Sequence, residues 1–446
     1  MGYGLWSMSL YGIYFPYLGL MNILLIGSGG REHAIAYKLT QSPLCEKLFV
    51  LPGNAGTASI ATNIPLDPSD FTMTGKFCLD NDIGLVIVGP EEYLVNGLRD
   101  HFEADGQLKK IPFVGPAKNG AIIEGSKDWS KAFMKKYDIP TAGYETFQFN
   151  TIHEGIRYVN QHSLPVVLKA DGLAAGKGVL ICNSHDEAEA GLNDMLRENK
   201  FGNAGSRVVV EEYLDGIELS VFVLCDGKSY CILPSAKDYK RIREGDKGLN
   251  TGGMGAVSPV PFADAAFMKK VEDRIIRPSV EGLKTEGIRY IGFLFIGLMK
   301  VMDDPFVIEY NCRLGDPETE VVLPRIKNDL AELMLACASG ELSKQIILED
   351  ERAAAAVMLV SRGYPEDYQK GKTITGFDKV ENSLLFHAGT KMNEKGEVLT
   401  NGGRVIAITS FGKNIQEAVT TSLINADKIE YEGKYFRRDI GYEFKS

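Results

Sequence analysis

Asn22-Ile23-Leu24-Leu25-Ile26-Gly27-Ser28-Gly29-Gly30-Arg31-Glu32-His33 is where the fold first becomes readable. A five-residue apolar run is followed by a glycine loop and then by REHAIAYKLTQS, amphipathic at helical spacing. That is strand, tight turn, helix. The pattern recurs outward along the chain, with strand-like runs at 48–51 (LFVL), 83–88 (IGLVIV) and 112–114 (PFV). Each ends in a Gly/Pro loop: Pro52-Gly53-Asn54-Ala55-Gly56, Gly89-Pro90-Glu91 and Gly115-Pro116. Strands alternating with helices predict a parallel sheet, and ligands of such sheets bind at the carboxyl ends of the strands. The loops are therefore expected to converge on one crevice. The first loop is not a dinucleotide fingerprint, because G-x-G-x-x-G would need glycine at 32, where glutamate stands. What survives is a helix start with free N–H groups, suited to a phosphate. A plain βα turn explains it as well.

Length and composition bound the rest. The 446 residues suit about three domains. Hydrophobic residues at 44% and charged residues at 24% give the balance of a soluble globular chain. A net charge of −10 argues against a nucleic-acid partner. Seven scattered cysteines, none in a CxxC pair, fit a reduced cytoplasmic compartment. Six scattered histidines give no zinc pattern. Residues 1–20 carry no charge and read as an extension ahead of the fold, from an upstream start codon or a cloned leader. They lack the basic start of a signal peptide and the long clean apolar stretch of a membrane helix. Glycine is in excess, 48 residues in no repeating tract, so many tight backbone loops are expected.

A helix over 127–139 ends at Pro140, and two β-rich, hairpin-like stretches follow, 164–182 and 207–225. In the first, Lys169-Ala170-Asp171-Gly172-Leu173-Ala174-Ala175-Gly176-Lys177-Gly178 resembles a phosphate-binding Walker loop but has three residues between glycines, and glycine where Ser/Thr belongs. A glycine-rich flap between antiparallel strands is another way to lay N–H groups over a triphosphate. In the second, Glu211-Glu212-Tyr213-Leu214-Asp215-Gly216-Ile217-Glu218 joins two apolar strands, where a base and a ribose could be read. Asp238, Lys240 and Arg241 precede the glycine-rich Asn250-Thr251-Gly252-Gly253-Met254-Gly255, which suggests closure over an anion. The most informative segment is Glu309-Tyr310-Asn311-Cys312-Arg313-Leu314-Gly315-Asp316-Pro317-Glu318. On a strand, 309, 311 and 313 share one face. A carboxylate, an amide oxygen and a guanidinium in a row suit a Mg²⁺ ion that bridges phosphates, with an arginine for the charge of phosphoryl transfer.

Together, GSGGREHA, PGNAGT, VGPE, KADGLAAGKGV, EEYLDGIELS, NTGGMGA and NCRLGDPETE resemble the phosphoribosylamine–glycine ligase (glycinamide ribonucleotide synthetase) family of the ATP-grasp superfamily, in order from Met21 to the end. The resemblance implies a multidomain α/β and α+β fold. Residues 21–122 would form a biotin-carboxylase-like parallel-sheet domain, 123–345 an ATP-grasp domain with a flap at about 140–212, and 346–446 a β-rich C-terminal module. It implies ligation of glycine to 5-phosphoribosylamine with ATP and Mg²⁺ or Mn²⁺, through a glycyl phosphate, as the second step of purine synthesis. Lys127, Lys169, Gly176, Lys177, Gly178, Glu211, Tyr213, Leu214 and Glu218 would bind ATP, and Glu309 and Asn311 the metal. Gly29, Gly30, Arg31, Asn54, Gly56 and Glu91 fall on the phosphoribosylamine side, with Asp238, Asn250 and Gly253 also on substrate. Lys240, Arg313 and Asp316 would act in catalysis. A cytoplasmic monomer is expected, with transient contacts to neighbouring pathway enzymes, and no membrane or nucleic acid. Two departures stand out: the penultimate strand GFLFIGLM (292–299) has no carboxylate for a second metal, and position 239 is tyrosine where many relatives have histidine. A formate- or bicarbonate-using ATP-grasp enzyme should lack the NTGGMGA–RLGDPE pairing, and a nucleotide-binding regulator would not need the 309/311/313 row.

Overall fold

The computed structural model describes residues 19–173, 178–197 and 207–444. Gly176, Lys177 and nearly all of the 1–20 extension lie outside the described residues. The first sheet is wholly parallel, in the order Thr62–Asn63, Cys45–Pro52, Met21–Gly27, Ile83–Val88, Phe113–Val114. Ile23, Leu24, Leu25 and Ile26 are fully buried, as a strand covered on both faces requires. Chain order reverses at this central strand, and the loops after Gly27, Pro52 and Val88 open at the same end.

A second, antiparallel sheet runs Tyr230–Ile232, Ile217–Asp226, Ile291–Val301, Asp304–Asn311. Its last pairing contains a bulge. Gly297 faces Glu309 while Leu298 faces Val307, which leaves Ile308 out of register. Two hydrophobic cores each join this sheet to the first one, the larger linking Leu24, Ile26 and Val86 to Leu219, Leu294 and Leu298.

The flap is a third sheet, in the order Tyr144–Gln148, Arg207–Glu212, Val166–Ala170, Val179–Cys182, backed by helices Ile152–Gln161 and His185–Leu196. Its core is separate. The expected hairpin over 207–225 is not one. Arg207–Glu212 joins the flap and Ile217–Asp226 the central sheet, so 213–216 crosses between them. Val208 and Val210 fill the flap core whereas Leu219, Val221 and Val223 fill the core below, so each strand pairs with more distant sequence.

The C-terminal sheet runs Lys237–Asp238, Gly255–Ser258, Ala353–Val360, Arg404–Gly412, Ser383–His387, with helix Ile415–Lys428 against it. Two of its strands come from before residue 346. The segment carrying Asp238 is thereby built into the C-terminal module. Leu298→Ala should lower stability by about 2–5 kcal/mol, because the cavity opens in a core shared by two sheets. A denaturation midpoint equal to the parent's would contradict that shared core.

Candidate active site at the strand-end crevice

Helix Gly30–Leu39 begins at the crevice, and its N-terminus is taken by the protein's own carboxylates. Glu32, 1% exposed, accepts the Gly29 N–H at 2.6 Å and pairs with Arg31 Nε at 2.6 Å. A Cβ on Gly27, Gly29 or Gly89 would lie 2.3, 2.9 or 2.0 Å from Glu32 atoms. These glycines make room for a buried side chain. Arg31 donates its N–H to Asp316 Oδ2 at 3.3 Å and its Nη1 to the Leu314 carbonyl at 2.9 Å. Gly30 packs on Glu320, whose Oε1 would be 2.3 Å from an added Cβ.

Asn54 ties the second loop to the C-terminal module. Its Nδ2 donates to the carbonyls of Ser28 and His387 at 2.9 and 2.7 Å, and its Oδ1 accepts the N–H groups of Gly56 and Thr57. Gly56 sits against two buried histidines, with His33 Cε1 2.3 Å from an added Cβ. His33 Nδ1 accepts the His387 N–H at 2.8 Å. Burial, with His387 adding to it, pushes His33 down to about 3, and burial pushes His387 down to about 4.

Asp316 is clamped from two domains. Arg404 Nη2 lies 3.0 Å from its Oδ1, and Arg404 Nη1 also donates to the carbonyls of Asp316 and Gly252. Desolvation would raise the Asp316 carboxyl, and Arg404 and Arg31 outweigh it to leave it below the usual range. Arg313 sits beside this clamp. It pairs with Glu91 at 3.0 Å and Glu124 at 3.2 Å, and donates to Asn311 Oδ1 at 3.2 Å. Glu124 is itself held by the Cys312 N–H at 2.7 Å.

Glu309 is the centre of the cationic side. Desolvation raises its carboxyl, but Lys240, Lys169, Lys127 and Arg313 outweigh that and hold it below its ordinary value. These four cations come from four separate segments. Lys127 opens helix Lys127–Lys136 and donates to the Gly172 carbonyl at 2.8 Å, while Asp171 receives the Lys127 N–H at 2.6 Å. Lys169 Nζ donates to the carbonyl of the bulged Ile308 at 3.1 Å and lies 2.9 Å from Glu211 Oε2. Lys240 pairs with Glu218 and lies 4.0 Å from Asp238. Gly178 is buried at the end of the flap loop, and Tyr213 and Leu214 lie on the crossing segment, Tyr213 exposed. Asn250 is exposed on hairpin Arg241–Arg243/Lys247–Asn250. Gly253 adopts φ 118°, and an added Cβ would meet Pro317 Cδ at 2.4 Å, so only glycine fits there. Tyr239 points into the C-terminal core, its hydroxyl donating to Glu443 at 2.9 Å.

Whether Glu309 and Asn311 suit a divalent ion is decided by their chemistry. An ionised carboxylate and an amide oxygen are hard donors, and Mg²⁺ takes one or two protein oxygens plus substrate phosphates. The position opposite Glu309 is Gly297, so the neighbouring strand adds no carboxylate there. Among the described residues no group of three or more His, Cys, Asp or Glu could hold a metal alone. The pair therefore fits an ion that phosphates help to hold.

Residues 21–124, 125–319 and 354–443 match the N, ATP-grasp (A) and C domains of phosphoribosylglycinamide synthetase. The chain belongs to the phosphoribosylglycinamide synthetase family. It is 46% identical to the phosphoribosylamine–glycine ligase of Yersinia pestis over 95% of this chain and 98% of that one. It is 44% identical to a bifunctional purine biosynthetic protein of Pichia angusta, of which it covers 54%. The solved phosphoribosylamine–glycine ligase of Thermotoga maritima superposes with TM-score 0.81 at 36% identity, over 94% of this chain and 99% of that one. Biotin carboxylase of Campylobacter jejuni shares the fold at TM-score 0.70 and 14% identity, covering 96% and 95% of the two chains. The parallel-sheet, ATP-grasp and β-rich C-terminal architecture read from the sequence is the one found.

Sequence reasoning missed Glu32, Glu124, Lys131 and Arg404. Only Lys131 left a local signal, since it follows Lys127 by four residues and so shares its helix face. Arg404→Met should destabilise by about 3 kcal/mol or more, because it leaves the largely buried Asp316 carboxylate without its guanidinium partner. Chemical denaturation reads this directly, and a loss under about 0.5 kcal/mol would show the pair to be idle. The histidine pair gives a pH test. Both rings are held below the ordinary 6.5, so the unfolded chain binds protons that the folded one refuses. Their contribution is intact above pH 6.5 and is lost as pH falls towards 4 and then 3. His33→Asn, whose Oδ1 can replace Nδ1 as acceptor, should flatten that limb of the stability–pH curve.

Proposed function

We propose that the chain ligates glycine to 5-phosphoribosylamine with ATP, giving glycinamide ribonucleotide, ADP and phosphate, the second step of purine synthesis. The observation that carries this is the convergence of Lys127, Lys169, Lys240 and Arg313 on Glu309, beside Asn311. Four cations around one carboxylate and one amide oxygen form a cradle for a triphosphate with its metal.

In this reading Lys127, Lys169 and the flap-loop residues Gly176, Lys177 and Gly178 take the phosphates. The backbone of Glu211, Tyr213 and Leu214 takes the base, and Glu218 the ribose hydroxyls. Glu309 and Asn311 hold Mg²⁺ or Mn²⁺, which supplies a Lewis acid that neutralises phosphate charge. Asp238, Lys240, Asn250 and Gly253 receive glycine. A carboxylate oxygen of glycine attacks the γ-phosphorus and ADP leaves, giving glycyl phosphate. The amine of phosphoribosylamine then attacks the acyl carbon, phosphate leaves and the nitrogen sheds a proton. Lys240 and Arg313 stabilise the charge on the transferred phosphoryl group, while Asp316 positions the loops around them. Gly29, Gly30, Arg31, Asn54, Gly56 and Glu91 belong to the phosphoribosylamine side, where the strand-end loops meet. An amine nucleophile needs no Ser, Cys or His activation, so positioning carries most of the rate.

The domain division 21–122, 123–345 and 346–446 is kept as part of this reading, with the two strands of 237–258 contributed to the last unit. A cytoplasmic setting is supported by seven free cysteines, six of them buried. Among the described residues no helix is long and apolar enough to cross a membrane. The chain should work without nucleic acid, as a monomer.

ADP release that requires glycine, phosphoribosylamine and Mg²⁺ together is the expected result, and none with all three present would sink the reading. Glu309→Gln should cut that turnover by about 10²-fold or more, with the melting temperature nearly unmoved. Parent-like turnover would remove Glu309 from the site.

A further inference from the structure

Lys237-Asp238-Tyr239-Lys240 runs through a short strand and its exit, so its side chains alternate between two faces. Asp238 and Lys240 belong to the crevice, where the charges of both bear on Glu309. Lys237 and Tyr239 take the opposite face, and both meet a single carboxylate near the end of the chain. Lys237 Nζ lies 2.6 Å from Glu443 Oε1, and the Tyr239 hydroxyl donates to Glu443 Oε2 at 2.9 Å. The same ammonium lies 4.0 Å from the centre of the Tyr239 ring. Lys237 and Tyr239 are both buried, so neither can exchange this partner for water.

Glu443 sits on the closing turn Tyr442–Phe444, and that turn is fastened on both sides of it. The Tyr442 hydroxyl donates to Asp246 Oδ2 at 2.8 Å, and Gln416 Nε2 donates to the Phe444 carbonyl. The Phe444 ring packs 6.3 Å from that of Phe262. A carboxylate fixed in this way holds the Lys237 ammonium on the side of the strand away from the crevice.

The hold matters because of what lies next to Lys237. Its Nζ donates to the Asp238 carbonyl at 3.5 Å, and its charge already acts on the Asp238 carboxylate. A buried cation that loses its partner is costly and is driven towards a neighbouring anion. We propose that Glu443 is a positioning residue for the amino-acid substrate: it keeps Lys237 behind the strand, so that the Asp238 carboxylate stays open to the ammonium group of glycine. Without the Glu443 charge, Lys237 turns to Asp238 and competes with that ammonium. The inference rests on the proposal that Asp238 receives glycine.

The test reads initial rates of ADP release against glycine and, separately, against ATP. Glu443→Gln keeps an acceptor for the Tyr239 hydroxyl and removes the charge. It should raise KM for glycine about tenfold, with KM for ATP and kcat at saturation within about threefold of the parent. Lys237→Met/Glu443→Gln also removes the competing ammonium, and should bring KM for glycine back to within about threefold of the parent. A merely structural role gives the opposite order, with the double variant no better than the single one. KM for glycine unchanged in Glu443→Gln, or not recovered in the double variant, would overturn the inference and leave the ligase reading standing on the parent's glycine-dependent turnover. A parent enzyme whose ADP release ignores glycine would overturn both. If Glu443→Gln does not fold, Glu443→Asp draws the charge back by one methylene. KM for glycine should then rise about threefold with KM for ATP unmoved, and a parent-like KM for glycine would overturn the inference equally.

Discussion

The Asp316 carboxylate takes a guanidinium from the C-terminal sheet on one oxygen and a backbone N–H from the first helix on the other. Three units that are far apart in sequence meet at that side chain. Because the charge is largely buried, it resists being pulled from its partners, and loss of one of them costs several kcal/mol. The loops that bear Gly30, Gly252 and Arg313 are held by this constraint rather than by their own conformational preference. Arg404 also bonds the Gly252 carbonyl, so the glycine-rich loop is fixed from outside its own domain. A similar device pins the neighbouring hairpin, where the fully buried Arg437 holds Asp246 at 2.7 Å and the Arg241 carbonyl at 3.1 Å. The C-terminal module is thus part of how the site is shaped.

A chain of net charge −10 nevertheless sets Lys240, Lys169, Lys127 and Arg313 to act together on Glu309. Distance decides the sign. Charges more than about 8 Å away in water are largely screened at physiological salt, whereas a partner at 4 Å in a partly buried site interacts by about 4 kcal/mol before desolvation. Glu309 accordingly responds to Lys240, Lys169, Lys127 and Arg313, and the remote surface carboxylates do not set its state. Buried carboxylates away from those cations behave in the opposite way. Glu320 has neither oxygen hydrogen-bonded, and burial with Asp316 nearby pushes its carboxyl well up. One crevice therefore holds carboxyl groups shifted in opposite directions by their neighbours.

Local periodicity carried much of the fold. The run 22–26 is the central strand, 83–88 is its neighbour, and Lys127–Lys136 is a helix near where spacing and Pro140 placed it. The flap hairpin was legible because Val166–Ala170 and Val179–Cys182 pair with each other. The stretch 207–225 was not, because both of its strands pair with residues outside it, and pairing partners are invisible to local pattern. Glycine was legible only in part for the same reason. Gly27, Gly29 and Gly89 read as loop glycines converging on the crevice, and each also makes room for Glu32. Arg404 and Asp316 are 88 residues apart, and Arg31 and Asp316 are 285 apart. No spacing rule reaches across such separations. The row Glu309, Asn311 and Arg313 was legible because it lies within five consecutive residues.

The flap differs from the rest of the molecule in how it is attached. The first and second sheets share apolar cores, whereas the flap closes its own around Val166, Leu168, Val208 and Val210. Its links to the body are mainly polar: Asp171 to the Lys127 N–H, Arg207 to Asp128 at 3.0 Å, Lys169 to the Ile308 carbonyl, and Glu211 to Lys131. An apolar interface gives up transfer free energy over its whole area when it parts, while polar links exchange their partners for water or ligand at modest net cost. The flap is therefore the unit joined to the body mainly by polar links, of which the Glu211–Lys131 pair is buried on both sides.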